Sequence, residues 1–297
     1  MMIPYERKLK FGPQTVWSHH RSGWNYAIHA LKDFGRPGPG GVQFEGFLDG
    51  FFQAKKSFTD PWIGFLHHTP IHPPSVKKLY PSTHDLTTLL TMPNWVASLP
   101  HCRGLFTLST YTRDFLATRV PVPVVSLFHP TQLSVPKFQM SDDIGVLSIG
   151  HWMRVFDSFA GLRVPYRKTL VKPYKNLKLE AYPDLHVVNW VDNDNYDRLL
   201  QRNVVFVHLE DSAANNVIIE CLARHTPLVI NRLPAVEEYL GADYPLFFTT
   251  LTEAEEMLGD RERLLAGHRH LRDRDKSKLT AQYFVWSFMD NSIYANI

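Results

Sequence analysis

The stretch Val204–Leu209 constrains the fold more than any other, because almost all of its residues are apolar. A run of this length without polar alternation predicts a strand with both faces covered, as in parallel sheets flanked by helices. A turn of small and polar residues follows, and Asn216–Arg224 is then predicted to form a buried helix. The chain therefore contains a strand–turn–helix unit of the kind from which α/β domains are built.

The same alternation of apolar strands and helices runs along most of the chain. Further strands are predicted at Trp62–Leu66, Gly104–Leu108, Val122–Phe128, Ile144–Ile149, Leu185–Asn189 and Leu228–Ile230. Further helices are predicted at Trp24–Phe34, Leu86–Leu99 (broken near Pro93), Tyr111–Thr118 (capped by Ser109), Tyr166–Val171, Asn195–Gln201, Ala235–Leu240 (ended by Gly241), Glu253–Asp275 and Lys278–Met289.

A polar, turn-rich segment at Pro136–Asp143 separates two α/β halves, so we place a domain boundary there. The predicted divisions are residues 1–140, residues 141–275 and a final aromatic helix in residues 276–297. Two successive α/β domains imply a cleft between them. Clefts beyond the carboxyl ends of parallel strands are where such folds bind nucleotides.

Composition narrows the class of protein. The 297 residues are 44% hydrophobic, and 32 basic residues nearly balance 29 acidic ones, which gives no sign of a dedicated nucleic-acid binder. Cys102 and Cys221 are the only cysteines, so a disulfide framework is excluded and a cytoplasmic location is expected. The charged start of the sequence, residues 1–10, does not resemble a signal peptide, and no apolar stretch is long enough for an integral membrane segment.

The segment Asp211–Glu220 is the most informative for function. The free N–H groups of the first turn of the predicted helix form an anion site, which the helix dipole strengthens. The small residues Ser212, Ala213 and Ala214 would let a phosphate approach the backbone closely. Glu220 lies further along the same apolar helix, where a carboxylate is costly unless it has partners. A ribose diol is one partner that fits.

With these residues, Val187–Glu238 resembles the donor domain of GT-B glycosyltransferases, in the large and mostly retaining group that uses nucleotide sugars. The resemblance rests on the order of strands and helices and on three short motifs: Glu220-Cys221-Leu222-Ala223, Thr226-Pro227-Leu228-Val229-Ile230, and Ala235-Val236-Glu237-Glu238-Tyr239-Leu240-Gly241. It is good over the last half of the chain and looser over the first. The resemblance implies two Rossmann-like domains facing across a cleft, with a C-terminal helix that crosses back to the first domain. It also implies that residues 1–140 form the acceptor side and residues 141–275 the donor side.

The resemblance also implies roles for individual residues. Glu220 would hold the ribose hydroxyls, and the backbone at Ala214, Asn215 and Asn216 would meet the pyrophosphate. After the strand Ile144–Ile149, the family has a glycine loop and cations that neutralise the donor diphosphate. Gly150 is the candidate for that loop and Arg154 for its arginine, and Lys168 and Lys172 are weaker candidates for its lysine. In the first domain, the candidates near the transferred sugar or the acceptor are His67, His68 and the glycine loop containing Gly23.

One position departs from the family pattern. The family often has an earlier Glu, with seven residues between it and the second, but Ser212 stands at that position here. Asp211 is adjacent, and either Asp211 or Ser212 could replace the missing acid. The stereochemistry of transfer, which is retaining in most of the group, depends on this contact.

The expected function is therefore transfer of a sugar from a nucleotide sugar to an acceptor, with no metal and no other cofactor. The acceptor could be a glycan, a lipid, a protein or a modified nucleic acid. Alternatives are a glycosyltransferase for modified DNA bases and a non-catalytic GT-B protein that only binds nucleotides. Asp192-Asn193-Asp194 resembles a metal-binding Asp-x-Asp motif, but its place before a helix favours capping. Pro70 argues against helical zinc ligation by His68 and His72.

Overall fold

The computed structural model describes residues 8–13, 23–35, 40–171, 183–189 and 191–297. The chain divides into two compact units, Met1–Pro130 with Lys278–Ile297, and Thr131–Ser277. Lys172, and His20, Arg21 and Ser22 of the glycine loop, lie outside the described residues. Within the described part of the chain, no helix is both long and apolar enough to cross a membrane.

Strands and helices alternate in both units. The strands are β1 (Leu9–Phe11), β2 (Val42–Glu45), β3 (Trp62–Phe65), β4 (Cys102–Thr107), β5 (Val124–Ser126), β6 (Gly145–Ser148), β7 (Lys168–Val171), β8 (His186–Val188), β9 (Asn203–Val207), β10 (Leu228–Asn231) and β11 (Phe247–Phe248). The helices are α1 (Trp24–Leu31), α2 (Leu48–Gln53), α3 (Pro74–Leu79), α4 (Leu86–Leu89), α5 (Pro93–Ser98), α6 (Thr110–Ala117), α7 (Phe156–Gly161), α8 (Asn193–Arg202), α9 (Asn216–Arg224), α10 (Pro234–Leu240), α11 (Leu251–Gly259), α12 (Arg261–Asp273), α13 (Ala281–Met289) and α14 (Ser292–Ala295).

The first unit is built on a parallel five-stranded sheet in the order β1-β2-β3-β4-β5. All four residues of β3 are buried, as expected for a central strand with helices on both faces. The predicted cap of α6 is confirmed, since Ser109 Oγ accepts a hydrogen bond from the Thr112 amide.

The end of the chain returns to the first unit, as predicted. Phe284 and Phe288 of α13 are buried, and the Phe288 ring lies 4.9 Å from that of Phe106 in β4. An added Cβ on Gly104 would come within 2.5 Å of Ile293 in α14, so this helix packs directly on the strand. Trp286 is instead 54% exposed, so only part of the predicted aromatic cluster serves packing.

The second unit is built on a parallel six-stranded sheet in the order β8-β7-β6-β9-β10-β11. From β6 the chain adds β7 and β8 on one side, and then crosses over to add β9, β10 and β11 on the other. Strand order therefore reverses between β6 and β9. Doubly wound sheets bind ligands at such a reversal, beyond the carboxyl ends of the strands. All residues of β9 are buried, which confirms the strand predicted from the apolar run.

Two sequence predictions in this unit need correction. Residues 166–171 were expected to start a helix, but Lys168–Val171 is strand β7. It pairs on one side with β6 and on the other with β8, so its backbone is satisfied by neighbours that are distant in sequence. A six-residue window cannot reveal such pairing. The helix expected at Glu253–Asp275 is divided at Asp260, whose side chain caps α12.

Candidate functional site

The candidate site of the second unit lies where the sheet order reverses. The segment after β6 contains Gly150 and Arg154, and the segment after β9 contains Asp211 and Asn215. The two segments are joined by backbone hydrogen bonds, from the Val155 amide to His208 O at 3.0 Å and from the Glu210 amide to Met153 O at 3.0 Å. The structure therefore brings together residues that are about 60 positions apart in the sequence.

Arg154 is a buried cation in this site, with only 7% of its surface exposed. Its Nε donates to Ile149 O at 3.3 Å, and its Nη2 donates to Asn215 Oδ1 at 3.2 Å. Nη1 is buried and has no hydrogen-bond partner, and no carboxylate of the described residues forms an ion pair with Arg154. Burial lowers the pKa of Arg154 to about 10. A buried guanidinium with an unused donor is a strong site for an anion.

The N-terminus of α9 meets this cation. Asn215 is the N-cap of α9, and its Oδ1 accepts from the Val217 amide at 3.1 Å as well as from Arg154. The same oxygen thus fixes the helix start and the guanidinium relative to each other. The partial positive charge of the helix terminus adds to that of Arg154. Ala214 and Asn216 flank the cap and are half-buried.

Gly150 lies beside the guanidinium in a backbone conformation that other residues avoid. Its φ is +85°, and an added Cβ would lie 2.9 Å from Arg154 Nη2 and 3.5 Å from Val217 Cγ2. Glycine is therefore favoured both by the left-handed conformation and by the close approach of Arg154 Nη2. This agrees with the glycine loop that the sequence predicts here.

Asp211 and Ser212 form the turn that precedes α9. Asp211 Oδ1 accepts from the Ser212 amide at 2.7 Å, which uses one carboxylate oxygen within the turn. Ser212 is only 4% exposed, and its buried Oγ has no hydrogen-bond partner in the part of the chain that the structure describes. Ser212 Oγ and Arg154 Nη1 are thus two buried polar groups that retain capacity for a ligand.

Glu220 has a protein partner that the sequence did not indicate. It is 2% exposed, and its Oε2 accepts a hydrogen bond from the hydroxyl of Tyr196 in α8. Burial and the neighbouring Glu220 raise the pKa of Tyr196 well above its usual value, so the hydroxyl stays protonated and donates. One turn further on, Arg224 forms a buried ion pair with Asp197. The ribose-binding role of Glu220 remains a prediction, now with Tyr196 as a residue that orients the carboxylate.

The side chain of Lys168, the second predicted cation, bonds to the end of α7 and not to the segment around Arg154. Its Nζ donates to Ala160 O at 2.6 Å and to Leu162 O at 3.1 Å, the carbonyls at the end of α7. A lysine at a helix C-terminus stabilises the unpaired carbonyls and the helix dipole there. Asp192 likewise caps α8, by accepting from the Asn195 amide at 2.8 Å, which confirms the capping interpretation of Asp192-Asn193-Asp194.

In the first unit, His67 and His68 follow strand β3 and share one carboxylate. Asp49 of α2 accepts from the His67 amide at 2.8 Å and from the His68 amide at 3.1 Å. His68 Nδ1 donates to His84 O at 2.7 Å. His67 Nε2 donates to Gly46 O at 2.8 Å, and burial lowers the pKa of His67 to about 4.

Gly23 lies at the start of α1, and the first residue of this helix contacts His67. Gly23 is the N-cap of α1, and Trp24, the first residue of the helix, lies with its ring 4.4 Å from that of His67. Trp24 Nε1 is buried without a hydrogen-bond partner among the described residues. The acceptor-side roles of Gly23, His67 and His68 remain predictions.

Sequence reasoning missed Asp49, Tyr196 and Asn231. Asp49 lies in an aromatic-rich segment without clear periodicity. Tyr196 lies in a helix that was predicted from the sequence, but no role was assigned to its side chains. Asn231 ends β10, and its side chain bonds to both backbone groups of Leu209. None of the three belongs to a recognisable motif, because each acts through a contact with a distant segment.

Comparisons with known proteins give a structural match but no sequence match. No family model matches the chain, and no curated protein does. A variant of TarM from S. aureus, solved with Fondaparinux, alpha-GlcNAc-glycerol and UDP, matches with a TM-score of 0.65 at 8% identity, over 91% of this chain and 58% of that one. Anabaena HepE with UDP-glucose matches with a TM-score of 0.63 at 11% identity, over 96% and 100%. The sucrose-phosphate synthase of Thermosynechococcus elongatus matches with a TM-score of 0.60 at 13% identity, over 90% and 74%.

These matches bear on the fold predicted from the sequence. The chain spans only about 58% of the TarM chains but the full length of the HepE chain with UDP-glucose. The solved structures that it matches are GT-B glycosyltransferases. Two Rossmann-like units with parallel sheets, together with these matches, confirm the predicted fold class: the chain has the GT-B fold.

Proposed function

We propose that this protein is a glycosyltransferase that takes a sugar from a nucleotide sugar and binds the donor diphosphate in the second unit. The observation that carries the proposal is Arg154, a buried guanidinium that bonds to the N-cap of α9 where the sheet order reverses and forms no ion pair with a carboxylate of the described residues. Nucleotide sugars place a diphosphate next to the carbon that reacts. UDP or UDP-glucose is bound in structural neighbours of this chain, which supports a nucleotide-sugar donor.

The chemistry that this site supports is stabilisation of the leaving group. In the reaction, an acceptor oxygen forms a bond to the anomeric carbon while the bond to the diphosphate oxygen breaks. The departing diphosphate gains negative charge. The positive charge of Arg154 and the free amides in the first turn of α9 would stabilise it. Fixed charges in a buried site lower the barrier most, because they need no reorganisation as charge develops.

We further propose that Arg154 and the helix terminus replace a metal ion in neutralising the diphosphate. The resemblance also favours transfer with retention of configuration. The configuration can be checked by following the anomeric proton of the product by NMR at early times, when product of the opposite configuration would contradict retention. Transfer that stops in excess EDTA and returns with Mg²⁺ or Mn²⁺ would contradict metal independence.

The central test replaces Arg154 by methionine, which keeps much of the volume and removes the charge. Charged hydrogen bonds contribute about 1.5–3 kcal/mol, so the dissociation constant for a nucleoside diphosphate is expected to rise by about tenfold to a hundredfold. Without ligand, the unfolding temperature should stay level or rise, because the variant no longer buries an unpaired charge. Calorimetric titration and thermal unfolding measure the two effects.

Arg163→Met is the matched control, since the Arg163 side chain is 89% exposed in the same unit. It should leave nucleotide affinity unchanged. Equal affinity of wild type and Arg154→Met would refute the assignment of the diphosphate site. A wild-type protein that binds none of UDP, GDP, ADP and TDP, or their sugar conjugates, would refute the proposed function.

A second candidate is a GT-B protein that binds a nucleotide sugar without turning it over. The observation in its favour is Ser212, which stands where the family pattern has a Glu. Tight nucleotide binding without sugar transfer or hydrolysis, across a panel of donors and simple acceptors, would favour this candidate over the enzyme.

A further inference from the structure

The Asn231 side chain extends the pairing of β9 and β10 beyond the last backbone pair of the two strands. In the register of the two strands, Ile230 lies opposite Val207, so the backbone ladder stops short of Leu209. From this point, the Asn231 side chain supplies the hydrogen bonds in place of the backbone. Its Oδ1 accepts from the Leu209 amide at 2.8 Å, and its Nδ2 donates to Leu209 O at 2.9 Å. Leu209 is 1% exposed, so both backbone groups would otherwise lack a partner.

The segment held in this way also carries the candidate site. On its other side, His208 O and the Glu210 amide bond to Val155 and Met153, and Arg154 forms an antiparallel bridge with Leu209. Residues 208–210 are therefore fixed between Asn231 and the segment that bears Arg154. The turn at 211–215 and the start of α9 follow directly.

A side-chain amide can satisfy the Leu209 peptide on both sides, which an ionised carboxylate cannot. The peptide needs one donor and one acceptor close together, and Asn offers both on a short stem. A carboxylate of the same shape has acceptors alone, so it would place a negative oxygen against the Leu209 carbonyl. The identity of residue 231 is therefore more restricted than its position at a strand end suggests.

We propose that Asn231 is a positioning residue of the donor site. By fixing the Leu209 peptide, it sets the direction of the Arg154 guanidinium and of the α9 N-terminus toward the diphosphate, without touching the ligand itself. The proposal rests on the proposed function, because it assigns Asn231 to the same nucleotide diphosphate site.

The test is Asn231→Asp, titrated with the nucleoside diphosphate that wild type binds best among UDP, GDP, ADP and TDP. At pH 8, we expect affinity to fall by about tenfold or more, since a tenfold change corresponds to about 1.4 kcal/mol. The ratio to wild type should shrink as the pH is lowered toward 5.5. A protonated carboxyl again has one donor and one acceptor, and burial raises the pKa of a carboxyl. A defect unrelated to the two hydrogen bonds of residue 231 would not be repaired by acid.

Two further variants keep the test decisive. Asn203→Ala removes one hydrogen bond, to Leu199 O at 2.9 Å, at the opposite end of β9, and should lower stability without lowering affinity. Asn231→Ser retains one of the two partners and should give an intermediate loss of affinity if Asn231→Asp does not fold. Unchanged affinity in both Asn231 variants, or a loss equal to that of Asn203→Ala at every pH, would overturn the proposal. Failure of wild type to bind any of these nucleotides would instead overturn the proposed function.

Discussion

At the scale of single residues, the donor site depends on groups that are expensive to bury. Among the residues that the structure describes, the buried Arg154 has no carboxylate partner and the buried Ser212 Oγ has no hydrogen-bond partner. Such groups cost stability in the free protein, and a ligand that satisfies them recovers that cost on binding. Gly150 makes the arrangement possible, because it leaves space for the guanidinium.

Gly150→Ala should therefore damage both stability and binding. A left-handed conformation costs a residue with a Cβ about 1–2 kcal/mol, and the new methyl group would push against Arg154 Nη2. We expect a lower unfolding temperature and weaker binding of nucleoside diphosphate, measured by thermal unfolding with and without ligand. Gly161→Ala is the control, since an added Cβ there meets nothing within 4 Å. Equal behaviour of the two variants would contradict this account of Gly150.

At the scale of elements, the order of the strands decides where the site can be. The loops after β6 and β9 meet because these two strands are neighbours in the sheet although β7 and β8 intervene in the sequence. The first unit has its strands in sequential order and therefore no such reversal among its described strands. The helix that matters most is α9, whose N-cap side chain serves two partners.

Asn215→Ala should show this double role. Loss of an N-cap costs about 1 kcal/mol, and here the Arg154 guanidinium also loses an acceptor. Asp192→Ala removes the N-cap of α8 in the same unit and is the matched control. Both variants should lose stability in urea denaturation, Asn215→Ala the more, but only Asn215→Ala should weaken nucleotide binding. A similar loss of affinity in both would show that capping alone explains the effect.

Sequence patterns predicted most helices and strands of the second unit. They predicted fewer of the side-chain contacts between these elements. The bounds of α9 were predicted correctly because its apolar spacing, its polar cap and the preceding strand all agree. Strand β7 was mistaken for a helix, since four residues flanked by two partner strands carry no periodicity of their own. Tyr196 was missed because its contact with Glu220 depends on how α8 packs against α9.

At the scale of the whole molecule, the chain forms two units, and its last helices belong to the first of them. The first unit also contains the half-buried His67, which follows β3, and the buried His129, which follows β5. Burial lowers the pKa of His67 and of His129 to about 4, and the His129 ring stays neutral while Nδ1 donates to Pro130 O at 2.9 Å. These groups make the stability of the unit depend on pH.

The sign of the dependence follows from the lowered pKa. Between about pH 6.5 and pH 4, the unfolded chain binds protons that the folded histidines exclude, so stability falls as the pH falls. For His129 alone, the loss approaches about 3 kcal/mol at the acid end. Asp85 has a pKa well below its usual value because it accepts hydrogen bonds from Thr88 and His72, so its contribution is lost only in stronger acid.

His129→Asn should flatten this dependence, since an amide can still donate to Pro130 O but does not take up a proton. Urea denaturation at pH 7.5, 6 and 5 measures the effect. His186→Asn, at an exposed position of the second unit, should keep the wild-type slope. An unchanged slope in His129→Asn would show that His129 does not contribute to the acid sensitivity.

The sequence by itself determined the class of fold and one end of the candidate site. Apolar runs, helix caps and glycine loops are recognised from a few neighbouring residues. The strand at Val204–Leu209, the helix start at Asn215 and the glycine loop at Gly150 could therefore be predicted without a structure. Only the tertiary structure decided which of the cations meets the helix terminus. Arg154 bonds to Asn215 whereas Lys168 bonds to the end of α7, because strand order and backbone pairing set these distances. It also decided that the Leu209 peptide is held by Asn231. Contacts between segments far apart in sequence depend on the order of the strands in the sheet. Local sequence patterns do not predict that order.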